Sequence, residues 1–208
     1  GRNLLRNTDF RNGLNNWYDW GTATREVVDL NEKKWVHLSQ NDSNRWRGLS
    51  QLVFNIKPST PYTVSFVAYS QNNSVMTVGI HQRLGDTIVT QNWQTFSLTN
   101  SPKKYSYTFT TTGRNIDQFN FMIGNDQSPF DIYITDIKLE MGNIATDWTP
   151  APEDYANYDY ENKECEIELG LTLPDESVEY VSIGKFTVEN AVRKDNTITL
   201  DCVDRMYK

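Results

Sequence analysis

Planar side chains on strand-like segments are the part of this sequence best equipped for chemistry. Six tryptophans and eleven tyrosines occur in 208 residues. Several stand beside amide, imidazole or guanidinium groups, as in "RWRGLSQ" (45–51), "VAYS" (67–70), "GIHQR" (79–83), "QNWQ" (91–94) and "QFNF" (118–121). A flat aromatic ring stacks on the CH-rich face of a pyranose, and polar groups in the plane of the sugar satisfy its hydroxyls. Trp46, Tyr69, His81, Arg83 and Trp93 are the candidate contacts, with Gln51 and Asn120 expected on the same alternating faces. Trp17 is expected in the core and Trp148 at the end of the domain. Trp35 lies in a strand and is equally compatible with burial and exposure.

Catalysis has little to work with. A glycosidase needs two carboxylates on opposite sides of a bond. Glu164, Glu166 and Glu168 instead alternate along one strand and read as a solvated edge face. The two histidines, His37 and His81, lack the Cys or Ser–Asp setting of a nucleophile triad. Zinc spacing, a phosphate-binding loop and a dinucleotide fingerprint are all missing from the sequence. The expectation is a binding protein and not an enzyme. The net charge of −7 points away from nucleic acid. No run of about 18 apolar residues offers a membrane span, and "GRNLLRNTDF" lacks the apolar core of a signal peptide.

These side chains must be positioned by strands. Short runs rich in Val, Ile, Thr, Tyr and Phe are separated by Asn, Gly, Asp, Ser and Pro clusters. Strands are expected near 24–30, 33–39, 47–56, 61–70, 74–83, 87–91, 94–98, 104–112, 117–124 and 131–141. Their number and spacing predict an all-β fold, an antiparallel β-sandwich of the jelly-roll type. Period-two alternation assigns the faces. Tyr62, Val64, Phe66 and Ala68 point inward, as do Met76, Val78 and Ile80, and Phe119, Phe121 and Ile123. Tyr69, His81, Arg83, Asn120 and Met122 point outward.

Three counts shift together at "KLEMGNIATDWTPAPEDY" (138–155). Residues 1–152 carry 14 Lys+Arg against 13 Asp+Glu, whereas residues 153–208 carry 6 against 14. All six tryptophans lie within residues 1–152, the last of them Trp148 inside this stretch, and both cysteines, Cys165 and Cys202, follow it. The sequence therefore divides into a sandwich (1–149), a linker (150–160) and a small, incomplete β-rich segment of three to five strands (161–208). "PDES" (174–177) and "RKDN" (193–196) supply its turns, and its last residues read as the start of a helix. The cysteines read as small buried thiols, with a bridge left open to neighbouring strands.

Four segments in order carry a resemblance: "NLLRNTDFRNGLNNWYDWG" (3–21), "RWRGLSQLVFNIKPSTPYTVSFVAYS" (45–70), "KKYSYTFTTT" (103–112) and "DIYITDIKLEMG" (131–142). This order resembles the jelly-roll carbohydrate-binding modules found beside xylanases and cellulases. The stretch 138–155 is similar to modules of tail and baseplate proteins of phages that infect Gram-positive bacteria. "GLTL…EYVSIGKFTVENAVRKDNTITLDCVDRMYK" resembles the opening of a tail-hub or tail-tip protein.

The resemblance implies a saccharide-binding module in a virion tail tip or baseplate, assembled in the host cytoplasm. Its partners would be a cell-surface or cell-wall polysaccharide and other tail proteins, in a homo-oligomeric parent assembly. An assembly spacer, or an accessory module of a secreted hydrolase, are the alternatives. Related modules hold a structural Ca²⁺ between the chain start and the last strand. Asp136, with Asp9, would be its ligands here, although Arg11 replaces the acid the family places after the opening Phe; no other cofactor is expected. If the sandwich is an insertion, residues 3–5 and 148–152 should be neighbours.

Overall fold

The structure, a computed structural model, describes residues 1–21, 23–42, 46–125, 129–157, 163–174, 177–194 and 197–204. Among the described residues, thirteen strands and a short 3₁₀ helix (Pro152–Asn157) are the regular elements. The chain divides into two compact units, Gly1–Asp154 and Tyr155–Lys208.

The first unit is an antiparallel sandwich. One sheet holds β1 (Tyr18–Trp20), β4 (Arg47–Phe54), β9 (Gln118–Asn125), β6 (Val75–Leu84) and β7 (Thr87–Ser97), in that spatial order. The other holds β2 (Thr24–Leu30), β3 (Lys33–Gln40), β10 (Phe130–Met141), β5 (Pro61–Tyr69) and β8 (Lys103–Thr110). The alternation read from the sequence is what builds the core. Val64, Phe66, Met76, Val78, Ile80, Phe119 and Phe121 are all buried between the sheets. Trp17 and Trp35 are buried too.

Turn chemistry sets the register of the hairpins. Asn31 and Glu32, both at positive φ, form the two-residue loop between paired Leu30 and Lys33. A two-residue loop with both residues in that region matches the twist of the flanking strands. The runs expected at 87–91 and 94–98 form one continuous strand, β7. The polar Asn92 between them faces inward opposite Ile80 and accepts a 2.6 Å hydrogen bond from Gln82 Nε2, so no break is needed.

The opening segment closes the sandwich through buried amides. Asn3 is fully buried and donates through Nδ2 to the carbonyls of Ile137 (2.9 Å) and Thr149 (3.2 Å). Its Oδ1 accepts from the backbone N–H groups of Leu5 and Leu139, each at 3.1 Å. Asn7 donates to the carbonyls of Gly13 and Asn15, and the Trp17 indole N–H donates to the Asn7 carbonyl. The chain start and residues 149–154 are thus neighbours, as expected for 3–5 and 148–152. Asp154 fixes this junction by accepting from Arg6 Nε and the Asn7 N–H. The first part of the stretch expected as linker is therefore bound to the sandwich. Trp148 is half-buried there and donates to Thr8 Oγ1.

The second unit is a three-stranded antiparallel sheet of β11 (Glu164–Thr172), β12 (Val178–Lys194) and β13 (Thr197–Val203). Among its described residues Val188 is the one buried hydrophobic side chain, while Leu169, Leu171, Tyr180, Val181 and Ile183 are exposed. Cys165 and Cys202 are free, half-buried thiols on β11 and β13, which flank β12. Their strands are not paired, yet the Sγ atoms lie 3.4 Å apart. The helix start expected at the chain end falls on 205–208, outside the described residues.

Candidate functional site

The outward face of the first sheet is built from register. Trp20, Gly48, Gly124 and Thr77 are successive cross-strand partners on β1, β4, β9 and β6. The next row is Tyr18, Ser50, Met122, Gly79 and Trp93, and the next is Leu52, Asn120, His81 and Gln91. β1 and β7 are the outermost strands, four spacings or about 19 Å apart in a flat sheet. The Trp20 and Trp93 rings nevertheless stack with centroids 5.9 Å apart. The sheet must therefore curl toward this face and the indoles lie across it.

Trp46, just before β4, completes the cluster at 5.0 Å from Trp93 and 6.0 Å from Trp20. It sits at φ 62° and is 41% exposed, which turns its ring onto the outside of the sheet. Glycine makes room for the cluster: a Cβ on Gly79 would lie 2.2 Å from Trp93 Cζ3, so that ring rests on bare backbone. Met122 points outward yet is buried, in the same row as Gly79 and Trp93. The three indoles with His81 and Gln91 line a recess of about 320 Å³.

Hydrogen-bonding groups stand beside the rings. The Trp93 indole N–H donates to Gln91 Oε1 at 2.9 Å. His81 meets the Trp93 ring edge-on at 5.5 Å. Burial first, and then the charge of Arg83, push the His81 pKa below its ordinary value. The imidazole is accordingly neutral at neutral pH and both donates and accepts. Asn120 is half-exposed directly across from His81. Arg83 shares the face, but its Nη2 donates to the carbonyl (3.0 Å) and carboxylate (3.3 Å) of Asp86 in the β6–β7 turn.

Trp46, His81 and Trp93 thus converge as expected residues, with Asn120 adjacent. Trp20 and Gln91 join them without having been singled out in the sequence. Trp20 lies in a three-residue strand too short to show periodicity, although its type was a signal. Two expectations need correcting. Gln51 pairs across to Phe121 and faces the interior, where it accepts from the Arg6 N–H at 2.7 Å and donates to the Arg6 carbonyl at 3.0 Å. Tyr69 faces outward, but from the other sheet. There it stacks on Tyr133 at 4.7 Å, and Tyr133 stacks on His37 at 4.3 Å, so these rings cover one another's faces.

The residues expected to hold Ca²⁺ do not fit that ion. Ca²⁺ takes six to eight oxygen ligands. Asp9 is engaged by Arg11, with Nη2 at 2.6 Å, and Asp136 by the Lys33 ammonium. Among the described residues no three His, Cys, Asp or Glu side chains cluster to hold a metal. A chelator is expected to leave the thermal midpoint within about 1 °C, since losing a ligand that contributes about 1 kcal/mol shifts it by about 2–8 °C. A fall of several degrees in EDTA, reversed by Ca²⁺, is the contrary result.

Fold and face together define a β-sandwich binding module with an aromatic recess on one curved sheet. The family model described as "Carbohydrate binding domain" matches residues 2–129, and the chain belongs to that family. Among solved structures, a family 16 carbohydrate-binding module is similar at 26% identity over 66% of this chain and 99% of its own, with TM-score 0.51. The CBM22-1 xylan-binding domain of Paenibacillus barcinonensis Xyn10C shares the fold at 10% identity over 69% and 94%, TM-score 0.50. So does the enzymatically active domain of bacteriophage CBA120 tailspike protein 4, at 14% identity over 67% of this chain, TM-score 0.56. The chain spans only 21% of that tailspike structure. No curated protein sequence matches it significantly.

Proposed function

We propose that this chain is a non-catalytic saccharide-binding module of a phage or prophage tail-tip or baseplate protein, acting in recognition of the host cell surface. The convergence of Trp20, Trp46 and Trp93 with His81 and Gln91 on a curved, solvent-facing sheet carries this reading. Family membership supports the saccharide as ligand. The tail assignment rests on the sequence resemblance of residues 138–155 and 160–208. The three-stranded sheet supports it too, since exposed Leu169, Leu171 and Val181 suit packing against other tail proteins. Each copy would bind weakly, and a symmetric tail tip carrying several copies would gain avidity without new contacts.

A glycan array and pull-down with whole cells or host wall polysaccharide test the reading. Trp93→Ala is expected to weaken binding about tenfold, equivalent to about 1.4 kcal/mol, and Trp46→Ala similarly. Tyr69→Ala, on the opposite sheet, should leave binding unchanged. Absence of binding to every saccharide and to cells, or indifference to both tryptophan variants, would sink the proposal.

A further inference from the structure

The two cysteines meet in the second unit at a place that strand pairing explains. Cys165 on β11 lies directly across from Phe186 of β12, and Cys202 on β13 directly across from Val188. Directly opposed residues share a face of a sheet, as do residues two apart on one strand. Both thiols therefore stand on the same face, over Phe186 and Val188. In a flat sheet β11 and β13, with β12 between them, would run about 10 Å apart. The Sγ atoms are 3.4 Å apart, so the sheet curls at this point. A break in register lies on either side of it. Ile183 is the extra β12 residue at the Ile167–Glu168 step, and Glu189 is the extra one at the Asp201–Cys202 step. Extra residues of this kind bend a strand and increase its twist.

This unit has little else to hold it. Val188 is the one buried hydrophobic side chain among its described residues, while Ile167, Leu169, Leu171 and Leu200 are exposed. Small units with so little core rely on a covalent or metal staple. Among the described residues no third His, Cys, Asp or Glu joins the thiols to hold a metal. Thiols already in contact need only rotate and approach to reach the S–S bond length of about 2.05 Å.

We propose that Cys165 and Cys202 are a redox-responsive disulfide pair. They are thiols in a reducing compartment and a bridge in an oxidising one. The bridge ties β11 to β13 over β12 and does the work of the core that this unit lacks. Closure is two successive exchanges with a small disulfide such as oxidised glutathione. One cysteine thiolate attacks it and releases the first glutathione as a thiol. The second cysteine then attacks the mixed disulfide and releases the other. The protein thiols lose two electrons and two protons, and the small disulfide becomes two thiols. The proposal is independent of the saccharide reading.

The test treats the reduced full chain with oxidised glutathione, with and without urea, and reads intact mass. Without urea the wild type should lose two hydrogens, stay monomeric and retain no glutathione. Cys165→Ser and Cys202→Ser, which cannot bridge, should each retain one glutathione. In urea the wild type should also accumulate doubly glutathionylated chain, because the thiols are no longer held together. Trypsin should cut the oxidised wild type at Lys185, within β12, about tenfold or more slowly than the reduced form, since the bridge restricts opening of the sheet. The double variant Cys165→Ser with Cys202→Ser should be cut at the reduced rate under both conditions. Tryptophan fluorescence should not change, because all six tryptophans lie in the first unit. Thiols that stay reduced, glutathione retained by the folded wild type, or bridges between chains would overturn the pairing. Equal tryptic rates for the bridged and reduced chains would overturn its role as a staple.

Discussion

Gly124→Ala is expected to destabilise the sandwich by about 3 kcal/mol or more, above the usual range for overpacking because backbone and not side chain stands in the way. A Cβ at this position would lie 2.0 Å from the Arg47 carbonyl oxygen and 2.7 Å from the Gly48 Cα. A flexible side chain could swing aside, but these atoms belong to the β4–β9 ladder. Gly48, the cross-strand partner, is equally constrained, with φ 156° and a Cβ position 2.1 Å from the Ile123 carbonyl oxygen. Relief would require parting β4 from β9, which runs between β4 and β6 at the centre of the sheet. Gly85→Ala is the control. Gly85 also has positive φ but has nothing within 4 Å of an added Cβ, so only the backbone penalty of about 1–2 kcal/mol applies. Urea unfolding followed by tryptophan fluorescence would separate the two. A Gly124→Ala midpoint equal to that of Gly85→Ala would show that the ladder yields easily.

The same close approach explains what the sequence could and could not reveal about the site. Alternation located the strands and sorted inward from outward, because each buried face must be continuously apolar. It therefore placed His81, Asn120 and Met122 outward correctly. It cannot say to which of two sheets an outward residue belongs, and so Tyr69 was grouped with residues on the opposite side of the sandwich. Gln51 shows a second limit. A polar side chain at an inward position is tolerated only when its hydrogen bonds are met, and here they are met by the backbone of Arg6, far away in sequence. The role of Gly79 was equally hidden. A glycine in a strand signals close approach of something, but only the fold shows that it is the Trp93 ring.

Glu140→Ala should cost about 3 kcal/mol, the usual penalty for breaking a buried ion pair by removing one partner. Lys138 and Glu140 point to the same side of β10, and each side chain is only 1% exposed. The Lys138 ammonium donates to Thr146 Oγ1 (2.8 Å) and the Asp147 carbonyl (2.7 Å), with Glu140 Oε2 at 3.8 Å. Glu140 accepts from the Thr146 N–H (2.8 Å) and hydroxyl (2.7 Å). Burial alone would raise the Glu140 pKa, but hydrogen bonds from Thr146 and from the Gly1 amino group (2.9 Å), and then the Lys138 charge, hold it below its ordinary value. A depressed carboxylate pKa contributes stability above the unfolded value of 4.5, and that contribution is lost as pH falls through the folded pKa. The gap between wild type and Glu140→Ala should accordingly narrow on acidification below about pH 4.5. Replacing both partners by apolar residues, Lys138→Met with Glu140→Leu, should recover most of the loss, because neither leaves a buried charge behind. Recovery would mean that the pair and its hydrogen bonds to Thr146 and Asp147 contribute little net stability over apolar side chains in the same place. A double variant as unstable as the single one would instead show that the hydrogen bonds to Thr146 and Asp147 are what hold this closing segment on the sheet.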